Sequence, residues 1–317
     1  MSNLNFVPIL VGPTAVGKTS ISIPLAQKFD GEIISADSRQ VYRHLDIGTA
    51  KPGKEELEAV PHHLVDVIDL DETYTAGQFA EDAELLIDGI FERNHTPFVV
   101  GGAGFYIKAL IEGIFDTPSR DDEIRERLQE EAEKNDEALY ERLKKIDPDY
   151  AETIHPNNNK RIIRALEIYE VTGRRPSAHF NEDHGGLGHP YRFIGLKRPR
   201  KQLYERINRR VEMMIEDGLV EEVMEILEKG YTGEENALQT VGYQEIIEYL
   251  RDEISMEEAV SEIQKNSRRY AKRQMTWFRN QHEVTWFDLD EYDPQDEAVG
   301  AITDYLLKKD WHADDAD

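Results

Sequence analysis

Lys18 and Thr19 close the stretch GPTAVGKT, Gly12 through Thr19, which fulfils the pattern GxxxxGK[ST]. Residues of these types at this spacing bind polyphosphate. Backbone N–H groups of such a loop converge as an anion nest, the lysine reaches a terminal phosphate, and the Thr19 hydroxyl can hold a Mg²⁺ ion. Gly12, Thr14, Ala15, Val16 and Gly17 are therefore the candidate cradle, with Lys18 and Thr19 adding side chains. The flanks agree. Phe6 to Val11 is apolar and short enough for a buried strand, and Ile21, Leu25 and Phe29 fall on one helical face. A phosphate site also needs a carboxylate, to hold Mg²⁺ or to take a proton. Asp37 closes the apolar run Ile33 to Ala36, which in a parallel sheet puts it at the ligand-binding edge. An Asp there also reads as a helix N-cap or turn residue.

Gly101, Gly102 and Gly104 follow Phe98-Val99-Val100 and precede a helical pattern. A turn of this kind brings backbone close to a ligand, or is simply tight. In kinases and ATPases the corresponding strand often ends in an acid that supports Mg²⁺. Glycines in its place speak against nucleotide hydrolysis and leave the carboxylate role to Asp37. The chain has no cysteine, which excludes disulfides, thiolate zinc and thiol nucleophiles. His62, His63, His179, His184 and His189 match no helical metal spacing and read as structural or exposed.

The elements that must position these groups alternate at first: strand-like Phe6 to Val11, Glu32 to Ala36 and Pro97 to Val100, with helix-like segments between. That is the grammar of a parallel α/β sheet. From Asp121 the chain turns charged and helix-periodic, as in Ile124 to Leu143 and Asn159 to Thr172, until a strand-like Tyr191 to Leu196. Asn181 to Pro190 reads as a loop. Helical pattern returns over Leu203 to Lys229, Tyr243 to Leu250 and Met256 to Phe278, before a last strand at Thr285 to Leu289. The expected fold is thus a P-loop NTPase-like core with a parallel sheet, interrupted by an inserted all-helical domain. Residues 1–120 form the first part of the core, 121–195 the insertion, 196–290 the return with C-terminal helices, and 291–317 an acidic tail.

The 317 residues carry a formal net charge of -26, which disfavours a nucleic-acid partner if spread evenly. It is not spread evenly. One basic run spans Lys197, Arg198, Arg200, Lys201, Arg206, Arg209 and Arg210, and another Lys265, Arg268, Arg269, Lys272 and Arg273. Each suits a solvated helix face or a phosphate-binding surface, and two in so acidic a chain favour binding. On a helix, Lys272, Arg273 and Arg279 could face phosphates while Met275 and Phe278 pack inward. No apolar run reaches the length of a membrane span and no signal-peptide pattern opens the sequence, so no membrane partner and a cytoplasmic location are expected.

Together these motifs resemble the bacterial tRNA dimethylallyltransferases, which place an isopentenyl group on an anticodon-loop adenosine. The resemblance runs from residue 6 to about 288. It rests on GPTAVGKT at 12–19, ADSRQVYRHLDIGTAKP at 36–52, PHHLVD at 61–66, VGGAGFY at 100–106, RIIRALEIY at 161–169 and AKRQMTWFR at 271–279. It implies that the P-loop holds the diphosphate of dimethylallyl diphosphate, so that the bound phosphate departs and no phosphoryl group is transferred. It further implies that Lys18, Thr19, Mg²⁺ and Arg206 neutralise the leaving group and that Asp37 takes the proton from the adenine amine. Ser38, Arg39 and Gln40 match one tRNA-contact segment of the family, Lys160, Arg161 and Arg164 another, and Arg273 and Gln274 a third. The partner implied is the tRNA anticodon stem-loop, gripped by the insertion, with the chain acting as a monomer. Ala103 stands where the family commonly has Thr, and Lys160 where it commonly has Gln. Alternatives are an isopentenyltransferase acting on free adenine nucleotides, a P-loop nucleoside or nucleotide kinase, and an RNA-binding module with an idle P-loop.

Overall fold

The computed structural model describes residues 3–113, 121–180, 185–281, 283–292 and 295–308. They fall into two compact units, one built from the residues up to Ile111 and those from Leu187 onward, the other from Glu112–Gly186. In the first unit the chain runs β1 (Val7–Val11), α1 (Lys18–Lys28), β2 (Gly31–Ala36), α2 (Lys54–Ala59), β3 (His62–His63), α3 (Ala76–Glu92), β4 (Thr96–Gly101) and α4 (Gly104–Glu112). Helices α5 (Asp122–Lys134), α6 (Asp136–Ile146), α7 (Pro148–Glu152), α8 (Asn159–Thr172) and α9 (Pro176–Phe180) make the second. The first unit then resumes with β5 (Tyr191–Lys197), α10 (Arg200–Glu216), α11 (Leu219–Glu228), α12 (Tyr243–Leu250), α13 (Met256–Gln281), β6 (Thr285–Asp288) and α14 (Gln295–Leu307).

The six strands form one parallel sheet in the order β3-β2-β4-β1-β5-β6. Every residue of β1, β2 and β4 is buried, as expected of strands covered on both faces. Helix α1 buries Ile21, Ser22, Leu25 and Ala26, and Phe29 at its C-cap is 3% exposed, so the expected helical face is the one that packs. Leu25 sits in a cluster with Leu10, Ile33, Phe98 and Ile194 from four strands. Truncating it to Ala would cost about 2–5 kcal/mol.

Three features differ from the sequence expectation. Strand β5 pairs with β1 from Val7↔Tyr191 to Val11↔Gly195, so the sheet unit already resumes at Leu187 and takes in residues up to 195 that the sequence pattern places in the insertion. The stretch assigned to an acidic tail contains α14, whose Ala298, Val299, Ile302 and Leu306 join the core under α1. Its many acids masked an apolar stripe with helical spacing. Finally, Ile124 to Leu143 is two helices. Asn135, extended at φ -163 and ψ 94, ends α5 and caps α6 by accepting the Ala138 N–H.

Caps organise the helical unit throughout. The Asp121, Asn135, Asp147 and Asn158 side chains each accept a first-turn N–H, and Gly173 at φ 68 ends α8. Asp147 also accepts the Ser177 N–H at 2.7 Å. Leu128, Leu139, Leu143, Ile162 and Leu166 form the unit's own core. Among the described residues no helix is long and apolar enough to cross a membrane.

Candidate active site

Strand register brings the chemistry together. Val11 of β1 and Ala36 of β2 both lie beside Gly101 of β4, so the P-loop, Asp37 and the glycine turn leave the sheet at one level. Gly17 takes φ 113, open to glycine, and turns the loop into α1. That helix has no side-chain cap and no acid in its first turn, which keeps its N-terminal end electropositive.

Cationic side chains donate to the loop's carbonyls. Lys18 Nζ donates to the carbonyls of Gly12 and Pro13, each at 3.1 Å. Arg206 Nε donates to Ala15 O at 2.9 Å, and Arg198 Nε to Val16 O at 2.9 Å while its Nη1 pairs with Asp290. Burial pulls the Lys18 ammonium down to about 8, opposed by the nearby charge of Asp37 and assisted by that of Arg210. Arg210 is likewise lowered by burial, and its Nη1 lies 3.5 Å from Thr14 Oγ1.

Two loop residues turn out not to border the cavity. Gly12 packs under β5, where an added Cβ would meet Leu196 O at 2.8 Å, and Val16 is buried with its N–H on Pro13 O. The loop residues that do border it are Thr14, Ala15, Gly17, Lys18 and Thr19, around about 670 Å³ shared with Asp37, Arg206 and Arg210. A second cavity of about 400 Å³ includes Asp37, Arg210 and Tyr270 in its wall and runs on to Gln239, Gly242 and Arg273. Asp37 stands where the two meet.

Both readings of Asp37 apply at once. Its Oδ1 accepts the N–H groups of Arg39 at 2.9 Å and Gln40 at 3.4 Å, an Asx-type turn. Its Oδ2 takes no hydrogen bond from the described residues. One oxygen orients the side chain and the other stays available in the cavity wall.

The glycine turn is built for close protein contact. A Cβ at Gly101 would fall 2.0 Å from Ala36 O, and one at Gly102 would fall 2.2 Å from Nε2 of Gln274. The Ala103 N–H donates to Ala36 O at 3.1 Å. Protein backbone and Gln274 therefore occupy the space expected for a ligand, although Gly101 also borders the larger cavity.

The histidines serve elsewhere. His63 and His95 hydrogen-bond Glu32, each at 2.7 Å, His189 bonds Asp88 at 2.6 Å, and His179 lies 3.1 Å from Thr172 Oγ1. His62 borders the cavity with Nδ1 bonded to Val60 O, and His184 lies outside the described residues. No group of three or more acids and histidines able to hold a metal occurs among the described residues.

Residues 40–281 match the IPP transferase family model. The chain is 48% identical over 285 residues to tRNA dimethylallyltransferase 1 of Syntrophotalea carbinolica, covering 89% of this chain and 90% of that one. It is 44% identical over 309 residues to the tRNA dimethylallyltransferase of a Thermoanaerobacter species, covering 96% and 98%. The chain belongs to this family. The full-length tRNA isopentenylpyrophosphate transferase of Bacillus halodurans superposes with TM-score 0.72 at 43% identity over 95% of both chains. A eukaryotic dimethylallyltransferase acting on tRNA gives TM-score 0.81 at 31% identity, over 95% of this chain and 79% of its own.

Within an IPP transferase the residues matched to tRNA contact take diverse places here. Ser38 and Arg39 border the second cavity, and Arg39 Nη1 donates to Asn236 O at 2.6 Å. Gln40 is a brace: Nε2 donates to Ala50 O at 3.2 Å and Oε1 accepts from Ser35 Oγ. Lys160 and Arg161 are exposed on α8. Arg164 instead pairs at 2.9 Å with Glu167, whose carboxylate is fully buried and also holds Arg125. On α13 Lys272, Arg273 and Arg279 face outward as expected, but Ala271, Gln274 and Phe278 form the buried stripe and Met275 is only half-buried.

Several site residues escaped the motif reading. Arg198 and Arg210 counted only as members of a basic run, yet they serve the P-loop. Glu222 accepts the N–H groups of Asp46, Ile47 and Gly48, at 3.1, 2.7 and 3.3 Å, and fixes the loop that carries Thr49 and Ala50 to the cavity. Lys51, its side chain 4% exposed, pairs with Asp46 at 2.6 Å and with Asp66. On α11 Glu222 looks like any surface acid, and no local pattern signals its partners.

Proposed function

We propose that this IPP transferase moves the dimethylallyl group of dimethylallyl diphosphate to N6 of the adenosine adjacent to the anticodon of tRNA, releasing diphosphate. The observation that carries the reading is Asp37 at the junction of two cavities, one walled by the P-loop and one leading away from it. The diphosphate lies along Ala15, Gly17, Lys18 and Thr19, facing Arg206 and Arg210. The adenosine, unstacked from its loop, enters through the second cavity.

The N6 lone pair attacks the allylic carbon, the C–O bond breaks, and its electrons leave with the diphosphate. Lys18, Arg206 and Arg210 offset the charge that grows on the departing oxygen. The N6 proton passes to Asp37 Oδ2. It becomes acidic only as the C–N bond forms, so an ordinary carboxylate suffices if its oxygen is well placed. The Asx turn supplies that placement.

A Mg²⁺ ion fits the wall. Thr19 and Asp37 both border the cavity where the phosphate would lie, and in P-loop proteins Mg²⁺ is held by the loop's Ser/Thr hydroxyl and an Asp together with the phosphates. Bound there, it would supply charge to the leaving diphosphate. The exposed Lys160 and Arg161 suit the helical unit to gripping the anticodon stem-loop. On this reading the catalytic unit is a monomer, and a tRNA substrate suits a cytoplasmic enzyme.

Incubation with dimethylallyl diphosphate, Mg²⁺ and an unmodified anticodon stem-loop should add one dimethylallyl group to the RNA, read by mass. AMP should react far more slowly. Equal rates would assign the activity to free nucleotides, and transfer of the γ-phosphate of ATP to a small acceptor without prenylation would make the chain a kinase.

A further inference from the structure

Gln274 lies on α13, 7% exposed, with both ends of its amide engaged by loops of the sheet edge. Its Oε1 accepts the Thr14 N–H at 2.9 Å and its Nε2 donates to Gly102 O at 3.0 Å. A donor on one side and an acceptor on the other fix which way the amide points. Tyr270, one turn earlier on α13, stands in the wall of both cavities. Gly102 is needed for the approach, since a Cβ there would collide with Nε2. The glycine turn in turn carries Asp37, because Gly101 packs on Ala36 and the Ala103 N–H holds Ala36 O. Gln274 thus ties the phosphate loop to the turn that sets Asp37.

We propose that Gln274 is a positioning residue, which sets the distance between the diphosphate cradle and the base through Thr14 and Gly102 and makes no contact with tRNA. The proposal rests on the dimethylallyl-transfer reading for Asp37 and the P-loop. It removes the Thr14 N–H from the phosphate-binding set, because that donor is already spent on Oε1. It also predicts a division of labour on α13, with Arg273 facing outward and Gln274 holding the site from beneath.

The test compares Gln274→Met, Gln274→Glu and Gly102→Ala with the wild type. Three quantities are read: the affinity for Mg²⁺-diphosphate by calorimetry, the steady-state constants with dimethylallyl diphosphate, and the affinity for the unmodified stem-loop. Gln274→Met keeps the length and loses both bonds, so diphosphate binding should weaken about 10-fold and turnover about 10- to 100-fold, with stem-loop affinity within about twofold. Gly102→Ala displaces the amide from the opposite side and should give the same pattern, which keeps the proposal testable if Gln274→Met folds poorly. In Gln274→Glu a neutral carboxyl can still accept from Thr14 and donate to Gly102 O, and a carboxylate cannot donate. Its activity should therefore fall as pH rises through the glutamate's titration, a limb separate from any that Lys18 gives both variant and wild type.

Stem-loop binding weakened about 10-fold or more with diphosphate binding intact would overturn the proposal and make Gln274 an RNA contact. Unchanged values in all three would overturn it as well. Failure of the underlying reading looks different: Asp37→Asn would retain turnover while the diphosphate affinities still answered for Gln274.

Discussion

Strand β2 carries two acids to opposite fates, Glu32 near its start and Asp37 just past its end. Glu32 is 4% exposed and is met by Arg93 at 2.9 Å and by His63 and His95, each at 2.7 Å. Burial pushes its carboxyl up, and the bonds from Arg93, His63 and His95 outweigh that and bring it down to about 2. Asp37 is met instead by two N–H groups of its own turn, both on Oδ1. Its cationic neighbours Lys18 and Arg210 share its cavity without pairing with it. A carboxylate saturated by side-chain partners, one of them the Arg93 guanidinium, locks structure, while one oriented by backbone alone keeps an oxygen for chemistry.

The largest effect that would sharpen this contrast lies at Asp37. Asp37→Asn should lower turnover by about 10³-fold or more, the scale of losing a positioned base, with stem-loop affinity nearly unchanged. Loss of RNA binding with turnover intact would remove the base role. Arg210→Ala should reduce kcat/KM for dimethylallyl diphosphate by about 10²-fold, from lost charge stabilisation in a buried setting. A rate near wild type would mean that Arg210 merely supports Thr14.

Glu32 should behave in the opposite way. Its folded-state pKa lies below the unfolded value, so it stabilises the fold above about pH 5 and loses that contribution as pH falls towards about 2. The shift corresponds to about 3 kcal/mol at neutral pH. Glu32→Gln should lower stability by about that amount in denaturant unfolding, flatten the acid limb of the stability profile, and leave kcat alone. Impaired turnover at unchanged stability would break the comparison.

The same contrast recurs among cations in the helical unit, where Arg164 serves the buried Glu167 and Arg161 is exposed. Arg161→Ala should weaken stem-loop binding about 5-fold and reduce its salt slope by about one. An unchanged slope would return Arg161 to a solvated surface.

Much of this was legible from local pattern. Buried parallel strands read as unbroken apolar runs, and so Phe6 to Val11 and Ile33 to Ala36 announce the sheet and place Lys18 and Asp37 at one edge of it. Helix α8 is bounded as its spacing indicates. What the sequence concealed is pairing across long separations. Arg198, Arg206 and Arg210 look like one basic face, and only the fold turns them toward the P-loop carbonyls and Thr14. Gln274 sits among cations of an apparent RNA-binding helix, and its burial depends on a glycine turn far away in sequence. Helix α14 was obscured because composition weighs acids without regard to which face they occupy.

The most direct test of the account is a single-turnover comparison of wild type and Asp37→Asn, with dimethylallyl diphosphate, Mg²⁺ and an unmodified anticodon stem-loop. RNA mass and diphosphate affinity would be measured on the same preparations. The account predicts one dimethylallyl group on the RNA with the wild type, none on the same timescale with the variant, and equal diphosphate binding by both. Prenylation by the variant at the wild-type rate would contradict it.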